Sequence, residues 1–232
     1  MSRPDIIRPD AVFHRQHGFY NPTEHEHDAV TFIGVGGIGS FAAFATGKLG
    51  VPKITLVDDD TVEIHNAPNQ MHSVDDCGDP KVEVTARMIE AHSPLTEVCP
   101  VNGKHDAVAQ YSGVVVSGLD SMAARQAVWD EKIKGNVAVS LYVDARIAGQ
   151  LILIYAVPEP YNPMIWEHYE KTLHSDDEAE YAPCTERGVI DVGFQCGALL
   201  SRMLRRYFTD QTIHNCTYMS EKSLMLKEWD WS

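Results

Sequence analysis

No apolar run in this sequence approaches the ~18 residues that a membrane-crossing helix needs. The opening residues Met1-Ser2-Arg3-Pro4-Asp5 also lack the apolar centre of a signal peptide. A cytoplasmic chain without membrane attachment is therefore expected. Positive charge is scarce: 19 Lys and Arg stand against 33 Asp and Glu, a net charge of -14. That balance disfavours loose binding to nucleic acid or to anionic lipid, and suits a partner with a basic face. Cysteine is sparse and odd in number. No two of the five (Cys77, Cys99, Cys184, Cys196, Cys216) are spaced as C-x-x-C, so neither a disulfide framework nor a zinc site is indicated, and free thiols are expected. There are eleven histidines, but the tightest pair, His25-x-His27, has no cysteine or acidic partner in a fixed element, so no transition metal is assigned.

What is present is ordinary globular composition, 44% hydrophobic and 22% charged, in a chain long enough for one α/β core and short for two. Residues 1–28 read as a polar N-terminal arm in which a helix begins near Ala11–Gln16, and residues 29–232 as a single domain. Ala29 to Val35 is a continuous apolar, β-branched run of the kind that forms a buried parallel strand, and the apolar stretch Ser40 to Leu49 forms a helix that Gly50 stops. A second buried strand, Lys53 to Val57, runs into Asp58-Asp59-Asp60 and completes a βαβ unit. A helix from Lys81 to His92 follows, then strands near 97–101 and 113–118, a helix from Ser121 to Lys134, and two strands, 137–143 and 150–157. The polar link 144–149 between those two predicts an antiparallel pair. Residues 158–183, with four prolines, read as a crossover loop, before a helix at 195–208 and one or two edge strands in 213–231. The expected architecture is a Rossmann-like, doubly wound, mainly parallel sheet continued by antiparallel strands.

Two features point to a nucleotide. Gly34-Val35-Gly36-Gly37-Ile38-Gly39 lies between strand and helix, where glycines let the backbone approach a phosphate and a helix N-terminus offers free N–H groups. Asp58, about twenty residues on at the end of the next strand, is placed to accept hydrogen bonds from ribose hydroxyls. These features suit NAD as well as ATP.

Further stretches separate the two. GVGGIGS, LVDDDTVEIHNAPNQ, DDCGDPKVEV, VVVSGLDSMAAR and CTERGVIDV occur in the order and spacing of the ThiF/MoeB and ubiquitin-activating family, which the chain resembles over roughly residues 11–205. The resemblance implies an adenylyltransferase that uses ATP and Mg2+ to activate the C-terminal glycine of a ubiquitin-like or sulfur-carrier protein ending in Gly-Gly. It implies nucleotide contacts from Gly34, Gly36, Gly37, Ile38, Gly39, Asp58, Asp60, Asn66, Gln70, Lys81, Leu119 and Asp120, with Lys81 on the phosphates and Asp120 placing magnesium. It further implies a homodimer in which Arg15 reaches the partner's ATP, and a cysteine position, Cys184, at which the activated partner can form a covalent adduct. The chemistry needs these types: a weak carboxylate nucleophile attacks the α-phosphate and pyrophosphate leaves, so cations must neutralise the triphosphate. Lysine is otherwise an awkward choice in the first turn of a helix, where the dipole favours anions.

The sequence departs from the family in two ways. Asn69 stands where the family has an arginine before Gln70, a loss for which Arg125 or Arg146 is a candidate substitute, and the family's paired C-x-x-C zinc motifs are missing. Asn69 keeps open the alternative of a weak or inactive scaffold that binds a ubiquitin-like protein. A relative that adenylates a tRNA base is disfavoured by the charge of -14, and an NAD-dependent oxidoreductase has no use for Lys81 and Asp120. Cys99 and Cys196, in apolar surroundings, read as core thiols.

Overall fold

The computed structural model describes residues 8–174 and 189–231. Eight strands form one mixed sheet in the order β3-β2-β1-β4-β5-β6-β7-β8. They are β1 (Ala29–Ile33), β2 (Lys53–Asp58), β3 (Glu97–Asn102), β4 (Gly113–Ser117), β5 (Val139–Ala148), β6 (Leu151–Pro158), β7 (Cys216–Ser220) and β8 (Met225–Trp229). The first five in that order are parallel neighbours, and β5 to β8 continue antiparallel. The fold is therefore the Rossmann-like α/β sheet with an antiparallel extension. Because β2 and β3 lie on one side of β1 and β4 on the other, the winding reverses between β1 and β4 and opens a crevice at the strands' C-terminal ends.

The helices are α1 (Pro9–Val12), α2 (Gly39–Leu49), α3 (Lys81–His92), α4 (Met122–Val128), α5 (Pro163–Glu170) and α6 (Ile190–Phe208). Two hydrophobic clusters divide the core. One joins Phe32, Ile54, Ile89, Ile152 and Leu200; the other joins Ile33, Val115, Trp129, Tyr142 and Tyr169. Helix α6 returns from the far end of the chain to lie on α2. The approach is close enough that a Cβ on Gly193 would fall 2.5 Å from the Phe41 ring, and one on Gly197 2.8 Å from the Phe41 Cβ. The arm packs on this domain: Phe13 and Tyr20 are buried, and the Gln16 amide donates to the Leu49 carbonyl at 2.6 Å.

Several expected boundaries move. The link 144–149 is mostly strand, since β5 runs to Ala148 and the turn is confined to Gly149 and Gln150. Its charged residues lie inside the sheet because they pair there. Within the expected crossover loop 158–183 the structure places α5, capped by Asn162 with Pro163 in the first helical turn, where a missing N–H costs nothing. Tyr169 of α5 is fully buried. Helix α6 begins at Ile190, five residues before the expected Gln195, and the helix after Ser121 ends as a π-helical turn, Trp129–Ile133. Cys99, expected in the core, is exposed because β3 is an edge strand; Cys196 is buried.

Candidate nucleotide cleft

The crevice at the switch point is an open cleft of about 470 Å³. Its floor is the turn leaving β1. Gly34 holds φ +86°, and a Cβ there would lie 2.9 Å from the Gly118 carbonyl oxygen; one on Gly39 would lie 1.9 Å from the Gly34 carbonyl oxygen. Only glycine closes such a turn without backbone rearrangement. Among the described residues the amides of Gly36, Gly37 and Ile38 find no acceptor, and α2 starts there with no side-chain cap, which leaves donors for an anion.

Asp58, at the end of β2, ties the turn to the sheet. Its carboxylate accepts from the Val35 amide at 2.6 Å and the Asp60 amide at 2.8 Å. Burial pushes this carboxyl above its ordinary range, and the two amides and Lys81 act against that. Each oxygen keeps a lone pair for a ligand hydroxyl. Lys81 opens α3. Its side chain is 9% exposed and its ammonium donates to the Asp60 carboxylate at 2.7 Å, while its amide donates to the Asp60 carbonyl. Asp120 is exposed at the cleft, and the α4 cap is made by Ser121, whose hydroxyl accepts from the Ala124 amide at 3.2 Å; the Asp120 carboxylate is thus not spent on capping. Gln70 lines the same space, its side-chain nitrogen 3.5 Å from where a Cβ on Gly36 would lie.

Of the residues singled out in the sequence, Gly34, Gly36, Gly37, Asp58, Asp60, Gln70, Lys81, Leu119 and Asp120 come together around the cleft. Ile38 and Gly39 support the turn from beneath, with Ile38 buried against Gly118. Asn66 is not among the lining residues; its side chain accepts from the Glu63 amide in a local turn. Arg15 is exposed on the arm, away from the cleft wall of its own chain. Cys184 lies outside the described residues. Neither Arg125 nor Arg146 replaces the arginine missing at Asn69. Both are bound to the buried Asp144, and Arg125 also donates to the Leu119 and Ala145 carbonyls. Sequence reasoning missed Lys104 and His105, which follow β3 and complete the cleft rim, His105 lying 3.1 Å from Glu131. The available signal was position alone, at the C-terminal end of a parallel strand.

The sequence pattern of the ThiF family matches residues 24–225. Curated relatives include the tRNA threonylcarbamoyladenosine dehydratase of Escherichia coli (strain K12), 36% identical over 106 residues, 43% of this chain and 40% of the relative. They also include the sulfur carrier protein ThiS adenylyltransferase of the same organism, 28% identical over 168 residues, 69% of this chain and 64% of the relative. This chain thus spans less than two thirds of either. Among solved structures, E. coli MccB with ATP superposes with a TM-score of 0.71 over 98% of this chain and 72% of that one; at 16% identity the likeness is one of fold.

Proposed function

The chain belongs to the ThiF family, and we propose on that basis that it is an ATP- and magnesium-dependent adenylyltransferase. Its substrate would be the C-terminal glycine carboxylate of a ubiquitin-like or sulfur-carrier protein ending in Gly-Gly. The observation that carries this reading is the Lys81 ammonium, held 2.7 Å from Asp60 in a nearly buried position on a glycine-floored cleft. A dinucleotide-dependent oxidoreductase has no need of that cation. A ThiS adenylyltransferase among the relatives supports the carrier-protein substrate.

In this reading the carboxylate oxygen attacks the α-phosphorus, the bond to the bridging oxygen breaks, and pyrophosphate leaves. Asp58 accepts from the ribose hydroxyls, the free amides of the glycine turn and the Gln70 amide donate to phosphate oxygens, and Lys81 opposes the charge that develops at the α-phosphate. Four carboxylates (Asp58, Asp59, Asp60, Asp120) and two lysines (Lys81, Lys104) line the cleft, so a triphosphate needs further positive charge to enter. The hard oxygen donors suit magnesium, with Asp120 as the residue to hold it; the ion supplies charge neutralisation on the phosphates. In a homodimer Arg15 of one protomer would serve its partner's site, and Cys184 is the proposed point of covalent adduct formation. The chain is read as cytoplasmic; among the described residues no helix is long and apolar enough to cross a membrane.

The deciding experiment compares thermal stability with ATP and magnesium, with NAD, and with neither, alongside Lys81→Ala. Stabilisation by ATP that magnesium strengthens and Lys81→Ala weakens is expected, together with ATP–pyrophosphate exchange once a carrier is supplied. A shift with NAD alone would sink the reading. Asn69 favours a second reading, a scaffold that binds the carrier without activating it; no shift with either nucleotide would select that. The dehydratase relative acts on tRNA by its name, and saturable tRNA binding at physiological salt, which the charge of -14 opposes, would redirect the substrate assignment.

A further inference from the structure

His72 follows the nucleotide loop, and no role in the cleft has been given to it so far. It is 4% exposed and both ring nitrogens are engaged: Nδ1 lies 3.0 Å from Oε1 of Gln70, and Nε2 2.9 Å from the Thr85 hydroxyl on α3. Burial, reinforced by the Lys81 charge, pushes its pKa down to about 4, so the ring is neutral at physiological pH. A neutral imidazole donates through one nitrogen and accepts through the other. Oε1 of Gln70 only accepts. With that oxygen facing the ring, the proton sits on Nδ1 and the Thr85 hydroxyl donates to Nε2. The relay runs in one direction, from α3 through the ring to the carboxamide, and it turns the Gln70 NH2 group toward Gly36 and the phosphate side of the cleft.

We propose that His72 is a positioning residue that locks the Gln70 carboxamide with its NH2 group facing the bound phosphates. Asn69 gives the reason such locking matters: with a neutral residue in place of an arginine, Gln70 becomes the principal donor that this loop offers an anion. Were the amide turned over, its carbonyl oxygen would face the phosphates and repel them. The inference rests on the nucleotide reading of the cleft, but its first test does not need a nucleotide.

Ring 15N NMR of the wild-type chain, with the His72 resonances assigned by their loss in His72→Asn, reports the tautomer directly. Protonation at Nδ1 is expected; protonation at Nε2 reverses the relay and overturns the inference whatever the protein binds. ATP affinity then separates positioning from bulk stability. His72→Phe fills the same space without hydrogen bonds and should weaken ATP about ten-fold, the scale of a lost bond to a charged group, with the KM for the carboxylate substrate unchanged. His72→Asn places a donor where Nδ1 was and should recover most of that loss. In a Gln70→Ala background His72→Phe should cost no more, because its only route to the ligand is gone. Equal losses in both backgrounds would refute the role of His72. If the wild type fails to bind ATP while the Nδ1 proton is present, the functional reading fails and the relay stands.

Discussion

Asp144 offers the sharpest test of how the core is held. It is fully buried on β5 between two guanidinium groups, Arg125 from α4 and Arg146 two residues along its own strand, and it also accepts from the Tyr169 hydroxyl at 3.0 Å. The two arginine side chains are only 6% and 8% exposed. Asp144→Asn keeps the shape and removes the single negative charge, so two cations are left facing each other in a medium that screens them poorly. Breaking a buried ion pair in this way typically costs about 3–5 kcal/mol. The lower end applies, because each arginine keeps other acceptors: Arg125 the Leu119 and Ala145 carbonyls, and Arg146 the Thr172 carbonyl and hydroxyl and the face of Tyr155. A loss of about 3 kcal/mol lowers the melting temperature of a chain this size by roughly 6–12 °C. It also moves the urea midpoint down by about 1 M at unchanged slope. Adding Arg146→Met to Asp144→Asn should recover part of the loss, since it removes the like-charge contact. A melting shift under about 2 °C for Asp144→Asn would refute the reasoning, as would a double variant less stable than the single one.

Three further outcomes follow from particular contacts. Gly39→Ala pushes a methyl to 1.9 Å from a backbone oxygen that cannot rotate away, so the β1–α2 turn must open; urea unfolding should show a loss of several kcal/mol, and near-native stability would contradict the turn geometry. The pKa of His72 falls from 6.5 to about 4 on folding, so between those values the unfolded chain binds the extra proton and stability declines as pH drops, by about 3 kcal/mol over the whole interval. Asp28 and Asp58 are raised from 3.8 and act in the opposite sense, so the His72 decline is read at the upper end of its interval, just below 6.5; a His72→Phe chain should lack that limb in pH-dependent urea titrations. Burial holds the Cys196 thiol near 12, whereas Cys77 is exposed. In the native protein Cys77→Ser should therefore lower the count of thiols that react with an aromatic disulfide by one, and Cys196→Ser should leave it unchanged.

The parallel half of the sheet was legible because β1, β2 and β4 are covered on both faces and so appear as unbroken apolar runs. The polar interior of β5 was not. Asp144 and Arg146 look like turn residues until α4 delivers Arg125 from 19 positions away, a contact that no local pattern encodes. Helix α5 was hidden for a related reason: prolines mark a loop unless one of them falls in a first helical turn, as Pro163 does. In the cleft, Asp58 was legible at the end of a strongly patterned strand and Asp120 through the family resemblance, whereas Lys104 and His105, which follow the weakly patterned edge strand β3, were overlooked. His72 was missed because its meaning depends on Thr85, thirteen residues on and on another element.

The contact between α6 and α2 also sets a timetable. Phe41 belongs to the βαβ unit of β1, α2 and β2, yet the surface that shelters its ring is supplied by Gly193, Phe194 and Gly197, more than 150 residues later. At about 5–20 residues per second, roughly 8–30 s pass before that helix is synthesised. Throughout that interval the nascent half that carries the glycine turn displays an apolar helix face without the surface that α6 later lays against it. A chaperone that holds exposed apolar surface should therefore engage chains stalled before residue 189 and release those extended past 208, with the glycine-floored turn assembled early and its outer wall closed last.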